Sequence, residues 1–522
     1  MNTTTASSAP ALAQASRRQF CLAALAAAAG PAFAQTPVAA AAAAVAAPVS
    51  APAGAFPFDE LQRRTFNYFW ETAHPVTGLV PDRYPTPSFA SIAAAGFGLT
   101  AYGIGAERGY VSRAQAAERT LKTLLFLLNA PQGDGAEGTA GYRGFFYRYL
   151  HMATGRRYEN IELSSVDTAL LMAGVLFSGE YFDRDLPVER EIRATSRALY
   201  ERVDWQWMQP RSAAIAHGWL PDVRKAPADL LVSGSDHSAT ANSRHAGFLS
   251  LDWVGYNEAM LLYILALGSP TYPARGDAFG AWTQGYDAYW GVVEGQTHLS
   301  FGPLFGHQYT QVWIDLRGIQ DAYMRGKGMD YFENSRRATY AHRAYAERNP
   351  MHWTGYGATM WGLAACNGPA DVVRPFKGSS RQFRTYDARG VGLGGSVDDG
   401  TIAPTAAAAS LPFAPEIVLP TLAEMVTKYG QYLIGGYGFF DAFNQSVPAD
   451  VTLTHGSYKP GFGWVDTDYL GIDQGPIVAM FENYRSGLVW ERMRGNAVVR
   501  QGLERAGFQG GWLTTDTAKA KP

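Results

Sequence analysis

Cysteine is nearly absent from this chain: Cys21 and Cys366 are the only two among 522 residues. Cys21 lies in an N-terminal export-type segment, so a processed chain keeps one thiol. One thiol excludes an intrachain disulfide and a thiolate metal site. A basic surplus is also lacking, since 44 Lys and Arg stand against 46 Asp and Glu. A nucleic-acid binder carries a basic surplus or stripe, and neither is visible. Beyond the N-terminal segment no apolar run approaches the ~18 residues of a membrane helix. The Ala39–Ala47 run contains only Ala and Val between Pro37 and Pro48, and reads as a linker. There is no G-x-S-x-G elbow, no G-K-[ST] phosphate loop and no H-E-x-x-H pair. Gly390-Val391-Gly392-Leu393-Gly394-Gly395 matches G-x-G-x-x-G, but no βαβ pattern surrounds it and it is discounted. The isolated His217, His237 and His245 read as loop residues rather than ligands.

The N-terminus carries Ser16-Arg17-Arg18-Gln19-Phe20 ahead of the apolar Cys21–Ala29, then Ala32-Phe33-Ala34. A twin arginine, a short apolar stretch and an A-x-A site in that order predict a twin-arginine export signal over residues 1–34, with Gln35 as the mature start and the periplasm as destination. Its removal takes two arginines and no acids, leaving 42 basic against 46 acidic residues, a net charge of −4. Residues 35–55, mostly Ala with Val and Pro and few bulky side chains, cannot build a core and form a linker. Residues 56–507 read as one domain with no internal linker, and 508–522 as a C-terminal tail. The polar stretch Arg211–His245 is an inserted loop.

The dominant pattern in the globular part is helical, with apolar residues three and four apart in Phe58–Thr72, Ala114–Asn129, Ser165–Ser178, Val188–Val203, Tyr256–Leu267, Ala278–Val293 and Pro415–Tyr429. Gly268-Ser269-Pro270 and Gly430 supply stop signals. Strand-like alternation is scarce. About a dozen helix candidates in one undivided domain predict an all-α fold larger than a simple bundle. Aromatic residues, with 13 Trp and 28 Tyr, often stand beside amides, as in Trp205-Gln206-Trp207 and Gln308-Tyr309-Thr310-Gln311-Val312-Trp313. Flat rings next to polar groups suit sugars, which have an apolar face and a hydroxyl edge.

Four acids sit in apolar or glycine-rich surroundings, where a carboxyl can acquire the proton affinity that acid–base catalysis needs. Glu258 lies in the first turn of the Tyr256 helix, where it could serve catalysis or simply meet the helix dipole. Asp167, three residues after Ser164, fits a capping box. Asp441 stands among glycines and aromatics in Gly435–Asn444 with no evident structural task. Asp473, in Gly471-Ile472-Asp473-Gln474-Gly475-Pro476, opens the Ile477–Tyr484 helix and could be its N-cap.

Taken in order along the chain, these segments resemble the glycoamylase-like family of bacterial β-1,2-glucanases. The resemblance rests on Gln62–Phe66, Gly78–Arg83, Gly144–Tyr147, Ser164–Leu171, Gly255–Ala259, Gly400–Thr405, Tyr437–Asn444, Gly471–Pro476 and Glu482–Gly487. It implies an (α/α)6 barrel and cleavage of β-1,2-linked glucan to sophorose or short sophoro-oligosaccharides, with inversion and without metal or organic cofactor. It implies Glu258 as the general acid and Asp441 as the base, with water activated through a substrate hydroxyl. Asp82, Arg83, Glu162, Asp167, Tyr256, His307, Gln311, Trp313 and Asp473 are the implied substrate-binding or supporting residues. The chain departs from the family pattern in the long Arg211–His245 loop and in Asn367, which stands where an acid is expected after Cys366. A glucan-binding protein that has lost catalysis is the alternative; the presence of both Glu258 and Asp441 favours the enzyme.

Overall fold

The structure, a computed structural model, describes residues 57–222 and 247–515. The Arg17-Arg18 signal, the linker, His237, His245 and most of the inserted loop lie outside the described residues. The chain is mostly helical. Its principal helices are α1 (Phe58–Glu71), α2 (Ile92–Glu107), α3 (Arg113–Asn129), α4 (Ser165–Tyr181), α5 (Pro187–Glu201), α6 (Met260–Gly268), α7 (Phe305–Trp313), α8 (Tyr331–Arg348), α9 (Pro415–Leu433), α10 (Gly471–Arg485), α11 (Leu488–Arg494) and α12 (Ala497–Arg505). Among the described residues the strands are short and form ten sheets of two or three strands each, so sheet serves to tie loops rather than to build a layer. None of the described helices is long and apolar enough to cross a membrane.

Helices α1 and α5 each bury one apolar face, as their periodicity predicts. Helices α2 and α4 behave differently. Both are buried almost all round, and they pack at backbone distance through glycine. A Cβ on Gly96 would lie 2.3 Å from the Leu170 carbonyl oxygen, and one on Gly174 would lie 2.0 Å from the Gly96 oxygen. Serine caps start both helices: Ser91 accepts from the Ala94 N–H and Ser164 from the Asp167 N–H. One apolar core runs from Leu61 to Leu513. It therefore extends past residue 507 into the expected tail, where Phe508, Trp512 and Leu513 are buried and the Trp512 indole donates to the Asp315 carbonyl at 2.8 Å.

Four helix expectations need correction. The Ala278–Val293 segment is helical only over Ala278–Thr283; Trp290–Val293 is a strand, paired with Gln296–Leu299. Glu294 and Gly295 join them with φ of 46° and 79°, a tight hairpin turn that outweighs local helical spacing. Gly430 does not stop α9, which continues to Leu433. The Tyr256 helix begins only at Met260, because Gly255 takes φ +76° and Asn257 Oδ1 accepts from the Ala259 N–H. Glu258 thus precedes the helix N-cap instead of lying in the first turn. Asp473 is not an N-cap either: α10 starts at Gly471, with Leu470 at its cap and Asp473 in its first turn. The G-x-G-x-x-G stretch folds as a hairpin, Gly390–Gly392 against Gly395–Val397.

Candidate active site

A cleft of about 640 Å³, open to solvent, is lined by Arg148, Asp167, His217, Trp253, Glu258, Tyr309 and Tyr386 together with smaller apolar groups. The N-terminal ends of four helices meet there. Val166 and Asp167 belong to the first turn of α4, Phe305 to that of α7 and Ile472 to that of α10, while Glu258 immediately precedes the cap of α6. Helix N-termini present unpaired N–H groups and a positive dipole end, so this convergence favours carboxylates.

Glu258 is 8% exposed at the edge of this space. Also in the lining, His217 stacks on Trp253 with ring centroids 3.8 Å apart, and the Trp253 indole donates to Ser165 Oγ at 3.0 Å. His217, expected to be an ordinary loop residue, is therefore a buried cleft residue. Arg148, which no sequence pattern singled out, is buried in the cleft floor. It pairs with the wholly buried Glu162 and lies 3.4 Å from Asp167 Oδ2. Ser164 Oγ donates to the same Asp167 oxygen at 2.5 Å while capping α4, so the capping arrangement also aims an acid into the cleft. Tyr309 enters from α7 and donates to the Ile472 carbonyl at 3.4 Å. That carbonyl would otherwise bond the N–H at position 476, but Pro476 has none.

Next in the chain to Ile472 of the lining stands Asp473, which belongs to a group of buried, mutually interacting acids with Asp441, Asp466 and Asp468. Asp441 Oδ2 accepts from the Asn367 main-chain N–H at 2.7 Å, and Asp466 Oδ2 accepts from the Asn367 side-chain amide at 2.7 Å. The Asp441 N–H donates to the Asp468 carbonyl at 3.0 Å. Burial, with the charges of Asp473 and Asp466, pushes the Asp441 carboxyl well above its usual range against the pull of the Asn367 N–H. Burial likewise raises Asp466 to about 6, with the charge of Asp468 adding to the effect and the Asn367 amide, the Asp468 N–H and Arg83 opposing it. Arg83 and Asp82 sit beside this group. The strand Arg83–Tyr84 pairs with Tyr469–Leu470, and the Asp82 carbonyl accepts from the Gly471 N–H at 2.8 Å, tying both residues to the start of α10. Among the described residues no cluster of three or more His, Cys, Asp or Glu is arranged to hold a metal ion.

Tyr256, His307, Gln311 and Trp313 are not in the cleft. All four are buried core groups with structural partners. Tyr256 stacks on Tyr331, and its hydroxyl meets His307 Nδ1 at 3.2 Å; His307 Nε2 lies 3.1 Å from the Phe301 carbonyl. Burial lowers His307 far below its usual range and keeps it neutral. The Gln311 amide bonds Ser335 Oγ at 2.6 Å, and the Trp313 indole bonds Thr100 Oγ1 at 2.9 Å. Helical phase accounts for His307 and Gln311: Phe305 and Tyr309, four apart on α7, line the cleft, and His307 and Gln311 face away, while Trp313 shares the face of Tyr309 but lies one turn further along, beyond the cleft lining. Trp205, from the other aromatic stretch, is core as well.

The Glycoamylase family model, described as "Putative glucoamylase", matches residues 250–497. A solved structure of that same description from Bacteroides uniformis is 30% identical and superposes with a TM-score of 0.70, covering 88% of this chain and 98% of that one. The chain belongs to the glycoamylase-like family. An endo-β-1,2-glucanase of Chitinophaga pinensis, solved with sophorotriose and glucose, is 28% identical with a TM-score of 0.69 over 87% of this chain and 98% of that one. The exo β-1,2-glucooligosaccharide sophorohydrolase of Parabacteroides distasonis is 28% identical over 482 residues, 86% of this chain. This glycoamylase-like chain spans 57% of that relative's length.

Proposed function

We propose that the chain is a glycoside hydrolase that cleaves β-1,2-linked glucan to sophorose or short sophoro-oligosaccharides by an inverting acid–base route, on a single-domain (α/α)6 barrel. One observation carries the reading: Glu258 lines an aromatic cleft together with Ile472, whose chain neighbour Asp473 acts on the buried Asp441 carboxyl. The likeness to two β-1,2-glucan hydrolases over most of the chain supplies the linkage. In this reading Glu258 gives its proton to the glycosidic oxygen as the bond to the anomeric carbon breaks. Water attacks that carbon from the opposite face, and its proton passes through a substrate hydroxyl to Asp441. Aromatic surroundings suit a carboxyl that must arrive protonated, and a carboxylate crowded by other acids suits proton uptake. Arg148 and Asp167 of the cleft lining, Glu162 paired with Arg148, Asp473 of the acid group, and Asp82 and Arg83 beside that group bind hydroxyls or hold the reacting acids. The twin-arginine segment supports export of the folded protein to the periplasm.

Incubation with linear and cyclic β-1,2-glucan tests the reading. New reducing ends with sophorose-series products are expected, and proton NMR of the first products should find the newly formed ends as the α anomer. Tight binding of glucan without new reducing ends would instead identify a glucan-binding protein on the same scaffold.

A further inference from the structure

Asn367 contacts two acids of the buried group through two different donors. Its main-chain N–H meets Asp441 Oδ2 at 2.7 Å and its side-chain amide meets Asp466 Oδ2 at 2.7 Å. All three residues are buried, at 1%, 2% and 0% exposure. Asn367 is itself firmly held. It follows the strand Ala365–Cys366, which pairs with Asp387–Ala388, and the guanidinium of Arg389 donates to the Cys366 carbonyl at 2.9 Å. We propose that Asn367 is a positioning residue whose two donors hold Asp441 and Asp466 together and thereby set how strongly Asp441 accepts a proton. This rests on Asp441 as the base.

The two donors have separate effects. The main-chain donor fixes the orientation of Asp441 whatever side chain stands at 367. The amide donor favours the charged form of Asp466, and a charged Asp466 beside Asp441 raises the proton affinity of Asp441. The remaining groups acting on Asp441 and Asp466 come from every neighbouring element: Asp473 from α10, Asp468 from the same loop as Asp466, Arg83 from the strand before α2, and Cys366 on the strand next to Asn367. Among the described residues Asn367 donates to a carboxylate oxygen of both acids, whereas the Asp468 N–H donates to Asp466 Oδ1 at 3.2 Å but Asp468 meets only the main chain of Asp441, so Asn367 is the residue that couples the two carboxyl groups. An aspartic acid at 367, protonated, would donate to Asp466 in the same way, and the pair would carry one charge as the wild-type pair does. That accounts for an amide standing where an acid is expected.

The test is carboxyl titration by NMR on protein labelled with ¹³C at aspartate Cγ, with the Asp441 signal assigned by its loss in Asp441→Asn, alongside the pH dependence of kcat/KM on β-1,2-glucan. Asn367→Ala removes the amide and leaves the main-chain N–H. The Asp441 midpoint should fall by about 0.5–1 pH unit, part of the 1–2 units that a lost hydrogen bond to a charged group is worth at Asp466. The acid limb of kcat/KM should move down with it, and kcat should drop, because the base is weaker. Asp466→Asn removes the neighbouring charge itself, should give the same downward shift, and serves if Asn367→Ala does not fold. Asn367→Asp should keep the wild-type midpoint. An unmoved Asp441 midpoint in Asn367→Ala, or in Asp466→Asn if the first does not fold, overturns the proposal even if Asp441→Asn is inactive. If the midpoints move as expected but Asp441→Asn retains activity, the base assignment fails and the coupling through Asn367 stands.

Discussion

Arg389 and Asp399 form an ion pair with no solvent exposure on either side chain. Arg389 Nε and Nη2 donate to the two Asp399 oxygens at 2.6 and 2.8 Å, and Nη1 and Nη2 also donate to the carbonyls of Cys366 and Thr385 at 2.9 and 3.0 Å. Replacing Arg389 by Met fills similar space and leaves Asp399 charged and buried without its partner. Breaking a buried pair from one side costs about 3–5 kcal/mol. A chain with roughly 450 ordered residues unfolds with an entropy near 1 kcal/mol per degree, so Tm should fall by about 3–5 °C at neutral pH. The pH dependence has a definite sign. In the native protein burial works against the charge on Asp399, but Arg389 outweighs it and holds the carboxyl below its usual range. That contribution is present above the unfolded value of about 3.9 and is lost as pH falls through the lower folded value. In Arg389→Met the orphaned carboxyl titrates above its unfolded value instead. The deficit should therefore be full near pH 7.5 and shrink toward pH 5 as Asp399 takes up a proton. Scanning calorimetry at both pH values reads this directly. The double change Arg389→Met with Asp399→Asn should melt above the single variant, since no uncompensated charge remains. A single variant melting within about 1 °C of wild type, or a deficit that widens toward low pH, would refute the electrostatic reasoning.

Asp441→Asn should lower kcat far more than it raises KM, because the lost group acts on the reacting water rather than on binding; equal changes in both would move the base elsewhere. Gly96→Ala places a methyl 2.3 Å from the Leu170 carbonyl oxygen and should cost about 1–3 kcal/mol, measured by denaturant unfolding. Gly326→Ala, on an exposed helix with nothing within 4 Å, should be neutral or stabilising by up to about 1 kcal/mol. Changing Arg17 and Arg18 together to Lys should hold the precursor in the cytoplasm, as fractionation and immunoblotting would show; normal periplasmic yield would reject the export signal.

The acids were the most legible part of the site. Glu258, Asp167, Asp441 and Asp473 stood out because a carboxyl in apolar or glycine-rich sequence is costly without a purpose. All four belong to the cleft lining or to the buried acid group. The basic and imidazole partners were not legible. Arg148 and His217 carry no local pattern, and their position depends on loops brought together by pairs such as Leu163–Ser164 with Gly218–Trp219. Aromatics beside amides misled on α7, where the same helix presents Tyr309 to the cleft and packs Gln311 and Trp313 into the core. Among the helices, one-sided α1, α3 and α5 were read nearly to their ends. Helix α2 was missed because it is apolar on every face and rich in Ala and Gly, so it has no periodicity to detect. The start of α6 was misplaced because a left-handed glycine and an Asn side chain terminate the preceding turn, a tertiary feature that apolar spacing does not encode.

The most direct test of the central claim compares wild-type protein with Glu258→Gln on linear β-1,2-glucan and on a β-glucoside with a good leaving group. The substitution keeps the shape of the side chain and removes the transferable proton. Wild type should release sophorose-series products from the glucan. Glu258→Gln should bind the glucan with nearly unchanged affinity, lose about 10²–10⁴-fold in kcat on it, and recover part of that rate on the activated substrate, which needs less help from an acid. Near wild-type hydrolysis of the glucan by Glu258→Gln would contradict the assignment, leaving Glu258 as a carboxylate that merely faces a helix N-terminus.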